Sequence, residues 1–292
     1  MRSSNPVFSR RGFSRSGGYA GFGAAPQAGS PVAGQGNPYA QTQPPTNPYA
    51  AGDQQNLTPE QLQQMYGAPP AGPLQTGRMT MDDVVMRTGM TLGTVIVAAA
   101  AAWIAQLPVG VGFGAALVAM VLGLVQSFKR TASPALIMGY ALFEGLFLGV
   151  ISQVYNERWS GIPMQAVLGT MAVFVGVLVA YKTRLIRVNA RFQRFVLAAA
   201  IGFVLLMAVN LLFALIGGGD GLGFRSGGLG IVFGLVGVVL GAAFLAMDFK
   251  QIEDGVQYGA PREESWLAAF GLTLSLVWIY LELLRLISIF RD

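Results

Sequence analysis

From about residue 88 to the C-terminus the chain alternates apolar runs of about 20 residues with short polar breaks, and this pattern limits the possible folds more than any other feature. The runs fall at about 88–107, 109–128, 134–154, 161–181, 195–216, 229–247 and 266–290. At a rise of about 1.5 Å per residue, each is long enough to cross roughly 30 Å of hydrocarbon as a helix. Backbone in lipid must satisfy its own hydrogen bonds, so the expected fold class is an all-α membrane protein with seven transmembrane helices. Pro108 and Gly110 must reverse the chain between the first two runs with almost no polar residue, so six spans plus a re-entrant segment is the alternative count. Only 11% of residues are charged, against roughly 25% in an average soluble domain.

Lys and Arg in the connections predict the orientation. One set comprises Arg2, Arg10, Arg11, Arg15, Arg78 and Arg87 before the first span, Lys129 and Arg130 in the second connection, Lys182, Arg184, Arg187, Arg191 and Arg194 in the fourth, and Lys250 and Arg262 in the sixth. The opposite set holds only Arg158, Arg225 and Arg291. The N-terminus is therefore expected in the cytoplasm and the C-terminus outside, which requires an odd number of spans. The net charge of +5 follows from this topology and implies no nucleic-acid partner.

Residues 1–77 are rich in Gly, Pro, Ala, Gln, Ser and Asn, with "NPYA" at 37–40 and again at 47–50. Such a composition buries too little apolar surface to offset the entropy of ordering, so a disordered cytoplasmic arm is expected, followed by a membrane domain over 78–292. Its basic-aromatic start, with Phe8 and Phe13 among the arginines, reads either as a contact with anionic lipid or as a solvated tail. No apolar run follows those charges, so a signal peptide is not expected. Thr58, Pro59 and Gln61 predict one short helix in the arm, and Thr80 with Asp83 three residues on predicts the cap of a helix running from about Met81 through Arg87 into the first span.

Glycines recur at four-residue spacing inside spans: Gly110 and Gly114, Gly145 and Gly149, Gly230 and Gly234, Gly237 and Gly241. They allow close backbone approach in lipid, within the bundle or between copies of the chain. Asn210, deep in the fifth run, is expected to bond to a neighbouring helix.

Ionisable residues in or against the runs narrow the chemistry. Each costs on the order of 2.5–3.5 kcal/mol at the centre of a spanning helix, so it needs a partner, a water path or a function. They are Glu144, Asp248, Glu282 and Arg285. Glu282 and Arg285 share a helix face three residues apart, so local neutralisation is one reading of Glu282. Glu144, near the bilayer midplane, is either a protonated acid bonded to a neighbouring helix or a pathway acid.

The chain has no cysteine and no histidine. Thiol chemistry is excluded, and any proton sensing near neutral pH must use carboxylates. Two acids close together in low dielectric share a proton and titrate as a pair, and on deprotonation they form an oxygen site that suits a hard cation such as Ca²⁺. For Asp248 and Glu282 to act in this way, the sixth helix must enter near Phe233 and continue to about Gln257, with "PREESWLAAF" partly interfacial. Both are expected. An enzyme is the weakest class, since no Ser-His, zinc-ligand or paired-aspartate constellation is present, and no cofactor is expected.

The segments "YALFEGLFLGVIS", "FLAMDFKQIE" and "SLVWIYLELLRLISIF", in a seven-span chain with these loop charges, resemble the Bax inhibitor-1 (transmembrane Bax inhibitor motif) family, in particular a bacterial branch with a long N-terminal extension. The resemblance covers roughly 80–292. It implies a seven-helix fold with a central last helix, in a multi-pass protein of the bacterial plasma membrane. It further implies a pH-sensitive calcium leak governed by two acids, with Asp248 on the first and Glu282 on the second. Glu282 departs from the Asp of the bacterial leak channels. A cation at the cytoplasmic end of the second helix that latches the first acid is also implied, with Lys129 and Arg130 as the nearest candidates, and this sequence itself suggests Arg285 as a third. The expected function is thus a pH-sensitive Ca²⁺ leak channel using Asp248 and Glu282 as gate and metal site. The alternative is a non-transporting regulator that binds another membrane protein, such as a quality-control protease.

Overall fold

The computed structural model describes residues 77–129, 131–217 and 227–291 of the 292-residue chain. The arm with its expected short helix, Arg130 and the connection holding Arg225 lie outside the described residues. Within them the chain forms seven long helices: α1 Met81–Ile104, α2 Val109–Phe128, α3 Pro134–Arg158, α4 Ile162–Lys182, α5 Ala190–Gly217, α6 Gly227–Tyr258 and α7 Ser265–Arg291. All seven are long and apolar enough to cross a membrane, the shortest having 20 residues, or about 30 Å. No re-entrant segment occurs among them.

Local sequence fixes the helix ends. Thr80 and Asp83 form the expected capping box: Thr80 Oγ1 accepts from the Asp83 N–H at 3.1 Å, and Asp83 Oδ2 accepts from the Thr80 N–H at 3.2 Å. The first turn needs only residues 105–108, because Gln106 takes a left-handed conformation (φ 46°) and Pro108, with φ −65°, sets the entry to α2. Gly110 plays no part in that turn, and a Cβ added to it would meet nothing.

The last helix is the centre of the bundle. α7 packs against α1, α3, α4 and α6, whereas α2 rests mainly on α3 and α5 mainly on α6. The outer faces of these two peripheral helices expose Leu117, Met120, Val121 and Leu124 on α2, and Leu197, Ile201, Leu205 and Leu212 on α5. In water such faces would be costly, but in a bilayer they face lipid.

Three of the four glycine pairs lie at close helix contacts. A Cβ on Gly145 would stand 2.5 Å from the Val95 carbonyl oxygen, and one on Gly149 would collide with that of Ala99, so α1 and α3 approach through these two positions. Gly234, Gly237 and Gly241 do the same for α6 against α7 at Leu286, Glu282 and Ile279, while Arg285 reaches the Gly230 carbonyl. The fourth pair fails as a packing signal. Gly110 and Gly114 face open space, and Gly112 between them meets Val150 instead.

Candidate functional site

The seam between α6 and α7 positions both acids of interest. The helices run antiparallel, with Gly237 against Glu282, Gly241 against Trp278 and Ile279, and Asp248 against Gly271 and Ser275. α6 runs unbroken from Gly227 to Tyr258, so it does continue to about Gln257, and the contacts just given fix its register against α7. The offset therefore remains. Residues 237 and 248 are eleven apart on one continuous helix, about 16 Å along its axis. Ser275 and Glu282 are seven apart on the other, about 10 Å.

Asp248 and Glu282 consequently do not form the expected carboxylate pair. One Ca²⁺ ion, whose ligand oxygens lie at about 2.3–2.6 Å, cannot be held by both. No group of three or more His, Cys, Asp or Glu side chains that would hold a metal occurs among the described residues.

Each acid has its own surroundings. Asp248 is half-buried, and its Oδ2 accepts a hydrogen bond from the Ser275 hydroxyl at 2.5 Å. It has no ion-pair partner among the described residues. Glu282 is buried beside Arg285, whose Nη1 lies 3.4 Å from Glu282 Oε2 while Nη2 donates to the Gly230 carbonyl at 3.2 Å. The local ion pair allowed by their three-residue spacing is therefore the arrangement observed.

Glu144 is the third acid. It is buried on α3 and engaged by no hydrogen bond or ion pair among the described residues. Tyr140 stacks edge-on against Phe270 at 5.2 Å, and the Ser152 hydroxyl lies 2.6 Å from the Tyr280 hydroxyl, so α3 and α7 run side by side in the same direction. Interpolation between these contacts sets Glu144 close to the level of Thr273, the level at which Asp248 meets α7 from α6. Thr273 in turn is hydrogen-bonded to Thr91 of α1 at 3.0 Å, with both side chains fully buried. The segment 271–275 of the central helix is thus one polar level of this bundle, and Glu282 with Arg285 forms another.

Neither of the two described latch candidates pairs with Asp248. Lys129 follows the end of α2 and is exposed, Arg285 is engaged by Glu282, and Arg130 lies outside the described residues. Asn210 is buried on α5.

A second polar assembly ties the start of α1 to the α6–α7 connection. The Met79 N–H donates to Ala260 O at 2.8 Å and the Arg262 N–H to Gly77 O at 2.9 Å, while Arg262 Nε pairs with Asp83 Oδ1 at 2.7 Å. Arg87 bonds to Arg262 O and Ser265 Oγ and lies over the Trp266 ring at 5.2 Å. Asp83 was legible as a cap and Arg87 as a basic residue of the helix leading into the first span. Their shared use to clamp a connection about 180 residues away in sequence was not, because nothing local encodes it.

Seven spanning helices, the last of them central and lined by buried acids, hydroxyls and a buried arginine, define a multi-pass membrane protein with an ionisable core. Comparison with known families agrees. The family described as Bax inhibitor 1 like matches residues 5–292, and the chain belongs to it. The match takes in nearly the whole arm as well as the helices, a wider extent than the membrane domain alone. No curated protein matches the chain.

Proposed function

We propose that the chain is a proton-modulated cation leak of the bacterial plasma membrane, with Ca²⁺ as the transported ion and Asp248 as its titrating gate. The observation that carries this reading is the state of Asp248: an acid inside the helix bundle, against the central helix, whose hydrogen bond comes from a hydroxyl and which no described cation neutralises. Deprotonated, it presents a formal charge in low dielectric, and hard cations prefer such oxygens together with water and carbonyl groups. Protonated, it loses that charge. Protons and the cation compete for one carboxylate, so flux falls as pH falls.

Glu144, at about the same level on the opposite flank of α7, serves as the second acid of the pathway. Glu282 has a different role in this scheme, since Arg285 already satisfies it and the pair braces the other half of the α6–α7 seam. The ends rich in Lys and Arg face the cytoplasm, which sets Asp248 in the inner half of the membrane.

Reconstitution into liposomes tests the proposal. Ca²⁺ flux through the parent should fall with acid pH, and Asp248→Asn should flatten that dependence. Unchanged flux and unchanged pH dependence in the variant would remove Asp248 from the mechanism.

A regulatory role through another membrane protein is favoured by one observation, the extension of the family match through the arm from residue 5. A chain shortened to begin near residue 78 separates the two readings. A leak survives this truncation, whereas a regulator that works through its arm does not.

A further inference from the structure

Where α4 stops and α6 runs on, a half-open cavity of about 850 Å³ lies between α4, the 183–189 connection, α6 and the first residue of α1. Four cationic side chains line it, Lys182, Arg184, Arg187 and Lys250, against a single carboxylate, Glu253. The way the chain leaves α4 produces this concentration of charge. The N–H groups of Leu185 and Ile186 both return to Ala180 O, at 2.9 and 3.2 Å, with Arg184 left-handed (φ 59°). Ile186 and Val188 then pack against the core beside Phe249. The apolar positions of the connection are anchored inward, and the basic ones between them are left around the cavity.

The charges are not all equally available. Glu253 accepts hydrogen bonds from Tyr181 and from Gln257, and Lys250 is paired with Asp254 at 2.6 Å. Lys182, Arg184 and Arg187 are exposed and have no ion-pair partner among the described residues. Three cations that no described residue neutralises therefore share a cavity at the end of membrane helices, where a bilayer presents its headgroups. The inner wall is apolar, through Leu178 and Phe249, and continues into the lipid-exposed side chains Val175 and Val179 of α4. A phosphate alone would use the cations and leave this wall wet. An amphiphile uses both.

We propose that the cavity binds an anionic phospholipid of the adjoining leaflet. Lys182, Arg184 and Arg187 hold its phosphate, and an acyl chain lies along Leu178 and Phe249. Asp248, which faces α7, is not among the residues that line the cavity, and the site does not depend on the transport reading.

The test uses the full chain in nanodiscs of mixed phosphatidylglycerol and phosphatidylcholine, with the retained lipid identified by native mass spectrometry. Two double variants carry the same charge change: Lys182→Ala with Arg187→Ala inside the cavity, and Arg191→Ala with Arg194→Ala, exposed on α5 outside it. The parent and the α5 variant should retain phosphatidylglycerol preferentially. The cavity variant should bind it roughly tenfold or more weakly, as expected for two lost surface cations. Equal loss in both variants would mean diffuse surface charge, and retention in both would mean no site, so either overturns the proposal. Displacement of the lipid by inorganic phosphate at matched concentration would also overturn it, by showing that the apolar wall contributes nothing.

Discussion

The two ends of the α6–α7 seam solve the same problem differently. At one end Glu282 is buried beside Arg285, with Gly237 opposite leaving no room for a side chain. At the other, Asp248 faces Gly271 and accepts a hydrogen bond from Ser275, with no described counter-ion. An ion pair held by an additional carbonyl contact is a structural brace, costly to disturb and poor at exchanging protons or cations. A half-buried carboxylate held by one hydroxyl is cheaper to alter and better placed to exchange them. Two acids that look equivalent in sequence thus divide into a brace and a candidate gate.

Breaking the brace should have the largest effect. Arg285→Ala leaves the Glu282 carboxylate buried without the guanidinium beside it, and loss of one partner of such a pair costs about 3–5 kcal/mol. Thermal unfolding in detergent should show this loss, and replacing both residues together with Gln should recover much of it. If Arg285→Ala melts like the parent, Glu282 and Arg285 do not brace the seam.

The seam glycines sharpen the contrast at intermediate magnitude. Gly237→Ala would set a Cβ 2.9 Å from the Glu282 carboxyl carbon, where the engaged side chain has little freedom to move, so a loss of about 1–3 kcal/mol is expected. Gly271→Ala meets Asp248 Oδ1 at 3.1 Å, and that half-buried side chain can give way, so its cost should be smaller. Equal melting temperatures for the two variants would erase the distinction between the ends. The smallest effect belongs to Ser275→Ala, which removes one hydroxyl donor and should cost about 1 kcal/mol or less of stability, within the range of a single hydrogen bond. The same substitution should displace the midpoint of the pH–flux curve. A variant with an unmoved midpoint would show that the Ser275 contact does not tune Asp248.

Much of this architecture was readable from the residues. Seven runs of spanning length gave seven helices, and Thr80 with Asp83 gave the start of α1 almost to the residue, because capping and hydrophobic length are local properties. The spacing of Glu282 and Arg285 likewise carried their contact, since three residues on a helix is a neighbourhood in space. The relation between Asp248 and Glu282 was not readable. It depends on the register of two antiparallel helices, set by the 259–264 connection and by which glycine meets which side chain, and neither follows from the composition of the spans. The partner of Asp248 was hidden for the same reason, although Thr273 and Ser275, two hydroxyls in the middle of an apolar helix, were the signal for it.

In the proposed leak, Asp248 titrates in the pathway and the Glu282–Arg285 pair does not. The most direct measurement is the pH dependence of Ca²⁺ flux in proteoliposomes, compared between Asp248→Asn and the double variant Glu282→Gln with Arg285→Gln. A flat profile for Asp248→Asn, together with a parent-like acid inhibition in the double variant, is the expected result. A parent-like profile for Asp248→Asn, with the pH dependence lost in the double variant, would contradict the claim and make the buried pair the gate.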